Sequence, residues 1–73
     1  MLTGDKFRVV KPLFGIMSND GNRIPVMLPK GAMLEIVTGL VNHERMVDVR
    51  WETNIVMLFV EDVRTGCRPN IPI

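Results

Sequence analysis

The feature that most constrains this chain is an uninterrupted run of six apolar residues from Ile55 to Val60. The segment before the run alternates between an apolar set and a charged set, namely Val47, Val49 and Trp51 against Asp48, Arg50 and Glu52. A period of two predicts a strand whose apolar set faces a core. The two segments, joined by a short turn within residues 52–54, therefore predict a β-hairpin with a second strand that is apolar on both faces.

The length of the turn decides which residues of the second strand lie beside the charges, because a shift of one residue exchanges the two faces. A two-residue turn places Ile55, Met57 and Phe59 on the charged face, beside Glu52, Arg50 and Asp48, respectively. A three-residue turn places Val56, Leu58 and Val60 there. In either register three large apolar side chains share a face with charges. Burying each one stabilises the fold by about 1.5–3 kcal/mol, and monomers seldom expose such a patch.

We therefore expect something to cover the charged face of this hairpin, and two alternatives stay open. The first is the chain itself, through Met1-Leu2, Leu40-Val41 or Ile71-Pro72-Ile73. The second is another copy of the chain or a different protein. A domain of this size buries only about 60% of its unfolded surface, so added association would strengthen it.

The rest of the sequence reads as short strands separated by turn residues. We predict strands at Phe7–Lys11, Leu13–Met17, Arg23–Leu28, Ala32–Thr38, Met46–Trp51 and Ile55–Val60. The Asp20-Gly21 pair is a strong hairpin signal, and Gly31 suits a turn that requires a positive φ. Pro12 is expected at an edge or bend, and Pro25 is expected to interrupt its strand. No apolar period of 3.6 residues is long enough for an extended helix.

These segments predict an all-β fold, a small barrel of five to six strands. One short 3-10 turn is expected near Glu61–Gly66, with Glu61 and Asp62 capping its start and Gly66 its end. The chain has 73 residues, which is one domain. We place that domain at residues 1–66 and an extended tail at residues 67–73.

Several stretches resemble known barrels. Pro29-Lys30-Gly31-Ala32-Met33-Leu34-Glu35-Ile36-Val37 resembles the strand entry of Src-homology-3-like barrels, and Val49-Arg50-Trp51 with Val56–Val60 and Glu61-Asp62-Val63 resembles their distal hairpin and following 3-10 turn. Met46–Glu52, Val56–Phe59 and Asp62–Arg64 are similar to a group of short, uncharacterised bacterial proteins. The resemblance covers roughly residues 6–66 and implies the fold but no particular function, because this barrel hosts many activities. With no Tyr and one Trp, the chain lacks the aromatic side chains of a polyproline-binding groove.

The residues offer little chemistry. A lone cysteine fits a reducing compartment, and no leader or membrane-length apolar run is visible, so we expect a soluble cytoplasmic protein.

Cys67 and His43 are too few to hold zinc. His43 beside Glu44 is interpreted as a solvated loop residue, and Trp51 as core. A reactive Cys67, with its pKa lowered by neighbouring arginines, is the alternative to an inert thiol. We therefore predict no catalytic residue, metal or cofactor, and no enzyme.

The leading functional hypothesis is a non-enzymatic protein-interaction module, homodimeric or docked on another protein through Ile55–Val60. Its interaction surface would comprise Arg50, Ile55, Met57 and Phe59. The alternative is a nucleic-acid-binding barrel with a basic stripe on the side of Lys6, Arg8 and Lys11, joined by Arg23 and Lys30. A net charge of only +1 weakens this alternative, since strong binders are usually basic.

Overall fold

The computed structural model describes residues 2–38 and 45–70. Seven strands and one helix follow each other along the chain: β1 (Lys6–Val9), β2 (Leu13–Asn19), β3 (Asn22–Leu28), β4 (Met33–Thr38), β5 (Met46–Trp51), β6 (Asn54–Phe59), α1 (Val60–Gly66) and β7 (Cys67–Pro69). The all-β prediction is confirmed. The strand number exceeds the five to six predicted, because the first residues of the expected tail form β7.

All strands belong to one antiparallel sheet with the order β3-β2-β6-β5-β4-β1-β7. In the described part of the chain β3 and β7 are the two edges, and no pairing joins them. The described residues therefore form an open sheet, and they do not confirm the predicted barrel. Pro25 in β3 and Pro69 in β7 both lie on these edge strands, where a residue without an N–H interrupts no ladder.

Short turns set the hairpins. Asp20 and Gly21 connect β2 to β3 with φ values of 51° and 81°, so both adopt the left-handed backbone of a type I′ turn. The Asp-Gly signal is thus confirmed. Pro25 does not interrupt its strand, because an edge position leaves its missing N–H without consequence. Pro12 lies between β1 and β2, as expected.

One core lies on the inner side of the curled sheet. Its buried members come from every strand and from the helix: Val9, Leu13, Leu28, Leu34, Ile36, Val47, Val49, Val56, Leu58, Val60, Val63 and Cys67. Trp51 is half-buried and packs against this cluster, so its interpretation as a core residue agrees with its position. The described residues contain no helix long and apolar enough to cross a membrane.

The segment predicted as a 3-10 turn is the α-helix α1, which begins one residue earlier, at Val60. Glu61 and Asp62 lie in its first turn, where carboxylates suit the helix dipole, but no side chain caps its start. Gly66 does not end the helix by a left-handed conformation. It is buried, and a Cβ there would meet Cδ2 of Leu13. The helix ends because Cys67 becomes extended and joins β1.

Candidate functional site

The structure resolves the register of the hairpin formed by β5 and β6. Trp51 pairs with Asn54, so the turn has two residues, and Glu52 adopts a φ of 57°. The face predicted for a two-residue turn is confirmed, with Ile55, Met57 and Phe59 on the charged side. The predicted partners are wrong by two positions, because Glu52 lies in the turn and not beside Ile55. Their partners across the hairpin are Arg50, Asp48 and Met46, respectively.

The apolar residues of this face continue onto two further strands. Ile16 pairs with Met57, which joins β2 to β6, and Phe14 and Ile16 pair in turn with Met27 and Pro25 of β3. Paired residues share a face of a sheet. We call the resulting surface the outer face, defined by Phe14, Ile16, Pro25, Met27, Met46, Ile55, Met57 and Phe59.

The outer face is open to solvent to an extent unusual for large apolar residues. Phe14 is 67% exposed, Phe59 52%, Met27 47% and Ile55 44%. Phe14 and Phe59 also border one shallow groove of about 180 Å³, whose other lining residues are Gly15, Ile16, Pro25, Met46 and Met57. Every side chain of that lining is apolar, so the groove offers hydrophobic contact and almost no polar recognition.

Gly15 explains why β2 lies so close to β6. A Cβ on Gly15 would meet Cγ1 of Val56 and lie 2.7 Å from Cδ2 of Leu58, both on the inner side of the sheet. The inward position of β2 therefore has to be glycine. Its neighbour Phe14 consequently points away from the core. The alternation of Leu13, Gly15 and Met17 is the sequence signal that places Phe14 on the outward side.

Of the segments proposed as a cover, only Leu2 lies in the described part of the chain. Leu2 is 72% exposed and buries nothing. Met1, residues 40–41 and residues 71–73 lie outside the described residues, as does His43. Within the described residues, the outer face thus has no covering segment.

Arg50 marks one border of the outer face. Its guanidinium donates a hydrogen bond of 2.7 Å to the carboxylate of Glu35, its direct partner on β4. Both side chains are partly exposed, so this pair is worth about 0.2–1 kcal/mol. Arg50 is therefore adjacent to Ile55 but already has a partner within the sheet.

Four of the five cations predicted as a nucleic-acid stripe lie on or beside β1, and one lies elsewhere. Lys6 and Arg8 lie on the solvent side of β1. Lys11 and Lys30 lie on turns at the end of β1, where the N–H groups of Lys11 and Gly31 bond to Gly66 and Val9. Arg23 lies instead at the tip of the β2–β3 hairpin, two positions from the Asp20-Gly21 turn.

Sequence analysis missed one cation that the fold adds to this group. Arg68 pairs directly with Arg8 across β1 and β7. We call the cluster of Lys6, Arg8, Lys11, Lys30 and Arg68 the basic end. All five residues are exposed. No signal in the sequence could reveal this pairing, because Arg8 and Arg68 are sixty positions apart.

Cys67 is buried, and burial raises the pKa of its thiol to about 11. The cause of the shift is the loss of hydration of the buried thiolate, so the alternative of a pKa lowered by neighbouring arginines is wrong. At neutral pH the thiol is protonated, so it is a poor nucleophile. In the described residues, no cluster of three or more His, Cys, Asp or Glu side chains could hold a metal ion.

No protein-family model, curated protein or solved structure matches this chain. The functional assignment therefore depends on the outer face and the basic end alone.

Proposed function

We propose that this chain is a non-enzymatic protein-interaction module that forms a homodimer through its outer face. The observation that carries the proposal is the pair of exposed phenylalanines, Phe14 and Phe59, which border one apolar groove on adjacent strands. The surface provides both projecting rings and a recess. A two-fold axis requires such self-complementarity, because the same patch must serve on both subunits.

The area of the outer face suits a second copy. One aromatic side chain carries about 150–250 Å², so Phe14 and Phe59 together leave on the order of 250 Å² in water. That is roughly a third of the ~800 Å² that one partner buries in a standard interface. Met27 and Ile55, each nearly half exposed, add further apolar area on the same face.

The edges of the sheet also favour association through the face. Free edges normally invite another strand to pair. Pro25 lies in the middle of one edge strand and Pro69 lies in the other. Each removes a donor that an added strand would need. A second copy therefore finds the apolar face more accessible to binding than either edge.

Light scattering after size-exclusion chromatography, over a series of protein concentrations, tests the proposal. We expect a mass of twice the 8.3 kDa of the chain at high concentration. Phe14→Ser and Phe59→Ser should each shift the protein towards the single-chain mass. Leu2→Ser removes an equally exposed apolar side chain elsewhere and should leave the dimer intact. Circular dichroism checks that each variant is folded.

Two outcomes contradict the proposal. A wild-type protein that keeps the single-chain mass at every concentration overturns the homodimer. A dimer that dissociates equally on Leu2→Ser and Phe59→Ser overturns the outer face as its interface.

The proposal includes a structural relationship: we interpret the strand order as an open variant of the Src-homology-3-like arrangement. Three features support it. Strands β4, β5 and β6 form a meander, a short helix follows β6, and β7 returns to pair with β1. Long-range NMR contacts between β1 and both β4 and β7 test this arrangement, and their absence would contradict it.

A further inference from the structure

We propose that the basic end, formed by Lys6, Arg8, Lys11, Lys30 and Arg68, binds the phosphate backbone of a nucleic acid without reading its bases. This site is separate from the outer face and does not depend on the homodimer. The cluster holds five of the nine Lys and Arg residues of a chain with a net charge of only +1. The positive charge is therefore concentrated at one end of the molecule rather than spread over it.

The nearest carboxylates adjoin only Lys6, which lines one groove with Glu35 and Glu52, and within the described residues none of them forms an ion pair with a cation of the basic end. Asp5 precedes Lys6, but its carboxylate accepts a hydrogen bond of 2.9 Å from the N–H of Leu2. Glu35 pairs with Lys6 across β1 and β4, but its carboxylate is engaged by Arg50. Within the described residues, the ion pairs involve none of the five cations of the basic end.

The pairing of Arg8 with Arg68 is the second observation. Like charges directly opposite each other on neighbouring strands destabilise a sheet. A bound anion converts this repulsion into a favourable arrangement, because two guanidinium groups can then donate to the same phosphate. Lys6 and Arg8 are two residues apart on one strand, a separation of about 6.8 Å. This separation is similar to that between successive phosphates of an extended single strand.

Pro69 favours a nucleic acid over an acidic peptide. A peptide would bind this edge of the sheet most readily as an added strand, through backbone hydrogen bonds to β7. The N–H of Asn70 points towards β1 and donates a hydrogen bond of 2.9 Å to the carbonyl of Lys6. Backbone N–H groups point to alternate sides along a strand, so the backbone nitrogen of Pro69 points to the free edge. A proline has no N–H, and this position therefore offers no donor to an added strand. Binding of phosphates requires only the side-chain cations and no backbone N–H of β7.

Fluorescence anisotropy with a labelled single-stranded oligonucleotide tests the site. If five cations contact phosphates, the affinity should fall about 100-fold between ~50 mM and ~200 mM salt, with a logarithmic slope of about −3.5. Homopolymer and mixed-sequence strands should bind alike. No salt-dependent binding at ~50 mM salt would overturn the proposal, and so would a strong preference for one sequence.

Matched variants locate the contact. Arg8→Gln and Arg68→Gln should each reduce the salt slope by about 0.7. Arg23→Gln removes the same charge at the tip of the β2–β3 hairpin and should leave the slope unchanged. An equal effect of all three variants would overturn the assignment to the basic end. Thermal unfolding should show that Arg8→Gln and Arg68→Gln keep or raise the melting temperature, since each relieves the pairing of like charges.

Competition with an acidic polypeptide tests whether the site prefers a nucleic acid to a polycarboxylate. Poly-glutamate at the same concentration of charge should displace the oligonucleotide poorly. Equal displacement would overturn the assignment to nucleic acid and point to an acidic polypeptide instead. Light scattering on the same arginine variants should return the wild-type mass, so a failure here is distinguishable from a failure of the homodimer.

Discussion

The inward and outward faces of β6 are equally apolar in composition and differ in burial. Val56 and Leu58 are enclosed by the core, whereas Ile55 and Phe59 are about half exposed. The difference arises from partners rather than from the residues themselves. The inner face meets the remainder of the curled sheet and α1. The outer face meets nothing within the described chain.

Hydrophobicity alone does not assign a residue to a core. A side chain contributes to the stability of the monomer only if the fold brings other atoms against it. On the outer face, the side chains can contribute to stability only when a second molecule packs against them. The largest effect on monomer stability is therefore expected from the inner face.

Leu58→Ala should produce the largest loss of stability. It removes a fully buried side chain, so the free energy of unfolding should fall by about 2–5 kcal/mol in urea titration. The matched control is Phe59→Ala on the adjacent outward position. Measured at a concentration where the chain is monomeric, it should change the free energy of unfolding by less than about 0.5 kcal/mol. Equal losses for the two variants would remove the distinction between the faces.

Gly15→Ala should have a smaller effect, of about 1–3 kcal/mol, because the added methyl collides with Val56 and Leu58 in a packed region. Phe14→Ala deletes a whole ring from the neighbouring outward position and should cost less in the monomer. Urea titration of both variants checks the order. If deletion of the ring proves the more damaging, Phe14 has a partner within the chain that covers it.

Cys67 gives the smallest effect at neutral pH, where its thiol is protonated in both the folded and the unfolded chain, and the sign of its effect at alkaline pH follows from burial. The thiol has a pKa of about 11 in the folded chain and 9.0 as an ordinary thiol. Above pH 9 the unfolded chain releases the proton first, so the free energy of unfolding falls as pH rises from about 9 to 11. The loss should reach about 1 kcal/mol by pH 10.

Titration of stability against pH for wild type and Cys67→Ala measures this difference directly. The variant should lack the part of the alkaline loss that the thiol causes. Identical curves for the two proteins would show that the thiol is as hydrated in the folded chain as in the unfolded one.

Local sequence determined much of the architecture. The alternation around Val47 and Val49, the Asp20-Gly21 turn and the positions of the prolines required no knowledge of distant residues, because each acts through backbone conformation within a few positions. These signals predicted an all-β chain, most strand positions and a hairpin with an apolar surplus. They also predicted an interaction surface that includes Ile55, Met57 and Phe59.

Contacts between distant residues depend on the tertiary structure. It selected the two-residue turn, left the sheet open, placed Phe14 beside the hairpin and brought Arg68 opposite Arg8. A pattern with a period of two identifies the two faces of a strand but not the strand that will lie next to it. That neighbour depends on strand order, which is set by packing across the whole chain. The outer face and the basic end both arise from strand order, and so neither could be completed from sequence alone.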